Sequence, residues 1–229
     1  MLAIDEKELL VISHLKQYTT EHKREFIERV LEQRTRYVTV VLEDIYQSQN
    51  ASAVIRTCEC MGLQDIHIIE NESKYSANRN VLKGAHKWMD MIRHKEKDVD
   101  NTKTCFESLR AAGYKILVTD PSPDGLAIDE VDVNDKLAIV MGNELHGISQ
   151  SAVSQSDIRV RIPMYGFTES LNISVSAAIC LNTIIPKVRN SSVAWGLTET
   201  EKHDIRLNWY RKVVKRSDII EREFLRTIS

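Results

Sequence analysis

Three polar stretches of this chain hold the residue types that chemistry needs. IYQSQNASAVIRTCECMG carries Asn50 and, six residues on, Arg56; IVMGNELHGIS carries Gly142, Glu144, His146 and Gly147; IPMYGFTESLNISVSAAICL carries Ser170 and Asn172 ahead of the small residues Ser174, Ser176, Ala177 and Ala178. Asn50 is placed to open a helix, and an arginine within its first two turns stands near the positive helix end, where a phosphate is readily engaged. Each stretch also has a plainer reading in isolation: a cap and a surface arginine, turn glycines beside a solvated carboxylate, and a close-packed helix start. The spacing of Gly142 and Gly147 invites comparison with a nucleotide-triphosphate loop, but Ile148 stands where that loop needs a lysine. No G-x-G-x-x-G occurs, so the dinucleotide fingerprint is absent as well.

Such residues converge only if the fold brings strand ends together. From Tyr37 the sequence runs through short β-branched segments, YVTVVLE, DIHIIE, YKILVTD, KLAIVMG and DIRVRIP, separated by stretches of helical length. This alternation predicts an α/β domain with a mainly parallel sheet and helices on both faces. All three polar stretches then lie at carboxyl ends of strands, the usual position of ligands in such sheets. Residues 1–36 carry seven basic and seven acidic residues among periodic apolar ones and read as an amphipathic helical arm. Asn172 to about Val188 reads as a buried closing helix, and 190–198 as a linker. The tail reads as a second helical extension, in which Arg206, Arg211, Lys212, Lys215 and Arg216 form a basic run that suits either a solvated face or an RNA backbone. The predicted organisation is an N-terminal extension over 1–36, a catalytic domain over 37–190 and a C-terminal extension over 191–229.

With 229 residues, 42% hydrophobic and 28% charged, the chain can bury a real core, which excludes disordered and collagen-like classes. A net charge of −2 argues against a whole-molecule polyanion trap and leaves local patches open. The amino terminus lacks a secretory pattern and no stretch is apolar enough for a bilayer span, so a cytoplasmic protein is expected. Cys58, Cys60, Cys105 and Cys180 form no C-x-x-C pair and have no histidine at zinc spacing; free thiols and no metal are expected.

In order and spacing, Asn50 with Arg56, the segment MGNELHGIS, and IPMYGFTESLNISVSAA resemble the three motifs of the SpoU/TrmH family of RNA ribose 2′-O-methyltransferases, within the SPOUT superfamily. The resemblance covers roughly residues 37–190. It implies a deep trefoil knot near the carboxyl end, a homodimer, and S-adenosylmethionine as cofactor. Residue by residue, it implies catalytic roles for Asn50, Arg56, Glu144, Ser170 and Asn172, with Arg56 meeting the RNA phosphate. Cofactor contacts, largely through the backbone, fall by the same resemblance on Thr119, Gly142, Ile162 and Leu171. The terminal extensions and AHKW at 85–88 are similar to members that methylate the D-loop guanosine-18 of tRNA. Gln47, Ser48 and Gln49 depart from those members, which commonly have Pro and His before the asparagine. Ribosomal RNA, another tRNA position, and an inactive RNA-binding protein of the same fold therefore stay as alternatives, and a small-molecule oxidoreductase or nucleotide hydrolase ranks last. His86 and His146 are kept off the catalytic set, each being at least as well explained as a structural or surface histidine.

Overall fold

A computed structural model of the chain describes residues 6–228, which divide into two compact units, one over 35–195 and one formed by residues up to 34 together with those from 196.

The larger unit contains strands β1 (Val38–Glu43), β2 (Asp65–Ile69), β3 (Asp90–His94), β4 (Tyr114–Thr119), β5 (Leu126–Ala127), β6 (Lys136–Met141) and β7 (Ile158–Arg161). They form one seven-stranded sheet in the order β3-β2-β1-β6-β4-β7-β5, and every pairing is parallel. The five strands read from β-branched runs are present. Two strands add to them: β3, where Ile92 is exposed and no continuous apolar run marks an edge strand, and the two-residue β5.

Helices cover both faces. Strand β1 is buried along its whole length, and its residues alternate between two cores as the period-2 side-chain geometry demands. Val38, Val40 and Leu42 pack with α3 (Ser48–Cys60) and α7 (Ile173–Asn190), through Val54, Ile55, Cys58, Ala177, Leu181 and Ile184. Val41 faces the other way, toward Cys105, Phe106 and Leu109 of α5 (Asn101–Ala111) and Ala152 of α6 (Gln150–Gln155). Removing a Leu or Ile side chain from such a core costs about 2–5 kcal/mol. The short α4 (Arg79–Leu82) packs on α3. The closing helix expected from Asn172 is α7, with Asn172 as its N-cap and Pro186 inside its last turns.

The smaller unit holds α1 (Glu6–Lys16), α2 (Glu21–Leu31), α8 (Glu199–Val213) and α9 (Ser217–Ile228). The single amino-terminal arm expected from periodicity is in fact two helices; its first five residues lie outside the described part. The break falls at Thr19 and Thr20. Thr19 Oγ1 donates to the carbonyl of Lys16, ending α1, and Thr20 Oγ1 accepts from the amide of Lys23, starting α2. Threonine hydroxyls compete with helical hydrogen bonds in this way, so the chain needs neither Gly nor Pro to turn. Glu28 of α2 receives Arg206 of α8 at 2.8–3.0 Å, and Glu221 of α9 receives Arg211. Two members of the basic run are thus bound within the unit, and Lys212, Lys215 and Arg216 remain exposed.

Candidate active site

The sheet order reverses at β1: the chain moves outward through β2 and β3, then returns to build β4, β6 and β7 on the other side. A crevice at the carboxyl ends of strands is expected at such a switch point. A cleft of about 620 Å³ lies there, within the size range of small-molecule sites. Gln47 and Asn50 line it beyond β1, Thr119 and Asp120 at the end of β4, Met141 to Ile148 at and beyond the end of β6, and Val160 to Ile162 with the 169–173 segment at and beyond the end of β7.

A hydrogen-bonded chain joins the three motifs. Asn172 Nδ2 donates to Asn50 Oδ1 at 3.2 Å, and Asn50 Nδ2 donates to Glu144 Oε1 at 2.9 Å. The carboxylate of Glu144 also accepts the amides of Tyr46, at 3.0 Å, and Gln47, at 3.2 Å. Gln47 is the N-cap of α3, so Glu144 places its negative charge where the unpaired amides and the helix dipole favour it. Asn50 was expected to open this helix. It sits instead in the first turn, with its side chain, 8% exposed, directed to Glu144 and to Gln47 Oε1. Asn172 does cap a helix with its side chain: its Oδ1 accepts the Ser174 amide at 2.9 Å at the start of α7.

The loop beyond β6 is held in a closed turn. Asn143 and Gly147 exchange backbone hydrogen bonds at 2.9 Å in both directions, and Asn143 Oδ1 accepts the amides of Leu145 and His146. Asn143 Nδ2 reaches back to the carbonyl of Asp44 at 2.6 Å, tying this loop to the end of β1. Gly142 is required by proximity: a Cβ there would stand 2.4 Å from the carbonyl carbon of Gly147. Gly147 is required by conformation, with φ of +70°. At the base, buried Glu43 accepts from Thr102 Oγ1 and from both the amide and hydroxyl of Ser149, fixing the start of α6 behind the loop.

Of the residues singled out from sequence, Asn50, Glu144, Ser170, Asn172, Thr119, Gly142, Ile162 and Leu171 all line this one cleft. Arg56 does not; it is exposed on α3, outside the lining. His146 is exposed at the rim and lines the cleft, while His86 does not line it and has its Nδ1 buried with no hydrogen-bond partner in the structure. Reasoning from the sequence missed Gln47, Asn143 and Glu43. Asn143 had a signal, since an asparagine between a strand and a glycine turn commonly bonds the backbone two residues on; Glu43, at the end of an apolar strand, had none.

The cleft suits a cationic, partly apolar ligand. Asp120, Glu144 and Glu169 bring carboxylates to its wall, and Val160, Ile162 and Ile173 give it apolar surface. Arg161, the arginine in its lining, donates to the carbonyl of Gly125 at 3.0 Å. Thr119 Oγ1 donates to the carbonyl of Val140, so its hydroxyl proton is already committed.

The sequence profile described as the SpoU rRNA Methylase family matches residues 37–182. A tRNA (guanosine(18)-2′-O)-methyltransferase of Borreliella burgdorferi is 42% identical over 218 residues, covering 95% of this chain and 98% of that one. A protein of the same name from Thermus thermophilus is 32% identical over 162 residues, covering 71% and 81%. Among solved structures, the Aquifex aeolicus TrmH/SpoU tRNA modifying enzyme superposes with a TM-score of 0.72 at 30% identity, over 85% of this chain and 98% of that one. With three motifs joined in one cleft on the matched fold, the chain belongs to the SpoU methylase family.

Proposed function

We propose that this chain transfers a methyl group from S-adenosylmethionine to the ribose 2′-hydroxyl of guanosine-18 in tRNA. The observation that carries this reading is the convergence of the three motifs on one cleft, in a chain 42% identical, almost end to end, to a protein of that name. S-adenosylmethionine supplies a methyl group already activated on a positively charged sulfonium. Thr119, Gly142, Ile162 and Leu171 would hold it, in a cleft whose carboxylates and apolar surface match a cation with an adenine ring. Because the electrophile arrives activated, alignment carries most of the catalysis. Asn50, Glu144 and Asn172 serve that alignment by locking the exits of β1, β6 and β7 to one another. Ser170 lies at the mouth of the cleft, where the target ribose enters. Arg56, outside the cleft and solvent-facing, is the group that takes the RNA phosphate, for which a guanidinium offers fixed donors and no acceptor.

The same reading takes 37–190 as the methyltransferase domain with helical extensions over 1–36 and 191–229, a knotted carboxyl end, a homodimer and a cytoplasmic protein. Light scattering at micromolar concentration tests the dimer by its mass. Methyl incorporation from labelled S-adenosylmethionine into an unmodified tRNA transcript, and into the same transcript with adenosine at position 18, tests the reaction. Label on the first alone is expected. Label on both would move the target site, and label on ribosomal RNA alone would favour the substrate in the family's description.

A further inference from the structure

A second cluster of reactive side chains lies on the sheet face that carries α5, on the far side of β1 from the strands of the cleft. His67 is on β2, His94 ends β3, and Cys105 is on α5. His67 Nδ1 stands 3.0 Å from His94 Nε2 and 3.9 Å from Cys105 Sγ, and the three ligand atoms all lie within 4.8 Å of one another. The imidazoles stack nearly parallel, with centroids 5.4 Å apart. Cys105 is fully buried and His67 is 7% exposed, while His94 is half-buried at the sheet edge.

We propose that His67, His94 and Cys105 form a three-ligand site for a divalent transition metal of the zinc class, with the fourth position open to water at the half-buried edge of His94. A tetrahedral ion with bonds of about 2.0–2.1 Å to nitrogen and about 2.3 Å to sulfur sets ligand separations near about 3.3 Å for N···N and about 3.6 Å for N···S. The observed 3.0 and 3.9 Å depart from these by a few tenths of an ångström in opposite senses, and the third pair, His94 Nε2 and Cys105 Sγ, lies within 4.8 Å; the His67–His94 contact is a hydrogen bond in this structure, so a bound ion replaces it by swinging the two imidazoles apart and drawing the thiolate in. Imidazole and thiolate together favour zinc over magnesium or calcium, which prefer oxygen ligands. Burial, with the neighbouring His94, lowers the His67 pKa to about 4, so its ring is neutral and its lone pair available at neutral pH. Burial and the charge of Glu43 push the Cys105 thiol up, so it carries its proton in the free protein, and the metal must displace that proton to solvent as the metal–sulfur bond forms. The bound ion would clip the edge strand β3 to β2 and α5. Local spacing offers no hint of it, because the ligands are 27 and 38 positions apart and meet only through the β2–β3 register and the packing of α5.

The test titrates the chelator-stripped full chain with Co²⁺ alone and then adds Zn²⁺. One equivalent is expected to produce a thiolate-to-cobalt charge-transfer band with tetrahedral visible absorption, bleached by one equivalent of Zn²⁺. His94→Gln and Cys105→Ser should each weaken Co²⁺ binding at least tenfold and remove those features, whereas Cys60→Ser, at an exposed cysteine, should keep them. Circular dichroism checks folding; if Cys105→Ser does not fold, the contrast between His94→Gln and Cys60→Ser decides. No charge-transfer band at one equivalent, or a band lost in Cys60→Ser and kept in His94→Gln, overturns the site.

Discussion

Replacing Glu144 separates two roles that a cleft carboxylate can play. In the structure it accepts three N–H groups, from Tyr46, Gln47 and Asn50, and no hydrogen bond from a hydroxyl group is seen. Glu144→Ala leaves these donors without a partner and frees the β1–α3 loop from the β6 loop. At about 1 kcal/mol for each partly solvated bond, the loss of positioning is about 2–3 kcal/mol. If the transition state needs the loops locked, that is about a 30- to 150-fold fall in kcat/KM. Glu144→Gln keeps one acceptor. Its best orientation leaves the carbonyl on Gln47 and Asn50 and turns the NH2 group toward the Tyr46 amide, where water can serve instead because Tyr46 is 70% exposed. The cost is then about 1 kcal/mol, or about fivefold. Initial rates of methyl transfer at subsaturating tRNA measure both variants, with melting temperatures as a folding control. If Glu144→Gln is as damaging as Glu144→Ala while tRNA and S-adenosylmethionine still bind normally, the carboxylate acts through its charge or as a proton acceptor, and the anchoring argument fails.

Gly142→Ala should abolish methyl transfer while leaving most of the fold, since its Cβ collides with backbone of the Gly147 turn that cannot yield as a side chain would; normal activity would contradict the closed-loop geometry. Arg56→Ala should leave stability within about 0.5 kcal/mol, as expected for an exposed residue, yet lower kcat/KM for tRNA and flatten its salt dependence. Unchanged turnover at subsaturating tRNA would remove Arg56 from the site. Arg93→Gln should show a pH-dependent loss of stability. Burial tends to raise the pKa of Glu70, but its paired bonds to Arg93 and the Tyr75 amide outweigh this and lower it. The stabilisation is therefore present above the unfolded-state value near 4.5 and disappears as pH falls through the folded one. With Arg93 partly exposed, a difference of about 1 kcal/mol from wild type in urea unfolding at pH 7 should shrink as pH falls below 4.5 and be lost once Glu70 is protonated in the folded state as well; a constant difference would refute the pairing.

The sequence by itself determined the layered α/β architecture. The β-branched runs at 38–43, 65–69, 114–119, 136–141 and 158–161 are strands as their composition favours, and the polar residues following them pointed to one cleft. Short-range chemistry was legible too, as in the reading of Gly142 and Gly147 as turn glycines. Tertiary structure decided what depends on contacts between distant residues. The edge strand β3 is set by its register with β2 rather than by its own composition. Asn50 abandons a capping role because Glu144, 94 positions away, offers its amide a charged acceptor. Arg206 and Arg211, legible only as a basic run, are fixed by Glu28 and Glu221. The meeting of His67, His94 and Cys105 has the same origin: period and propensity act over a few residues, whereas hydrogen bonds and ligand sets are satisfied wherever the folded chain brings partners within about 3 Å.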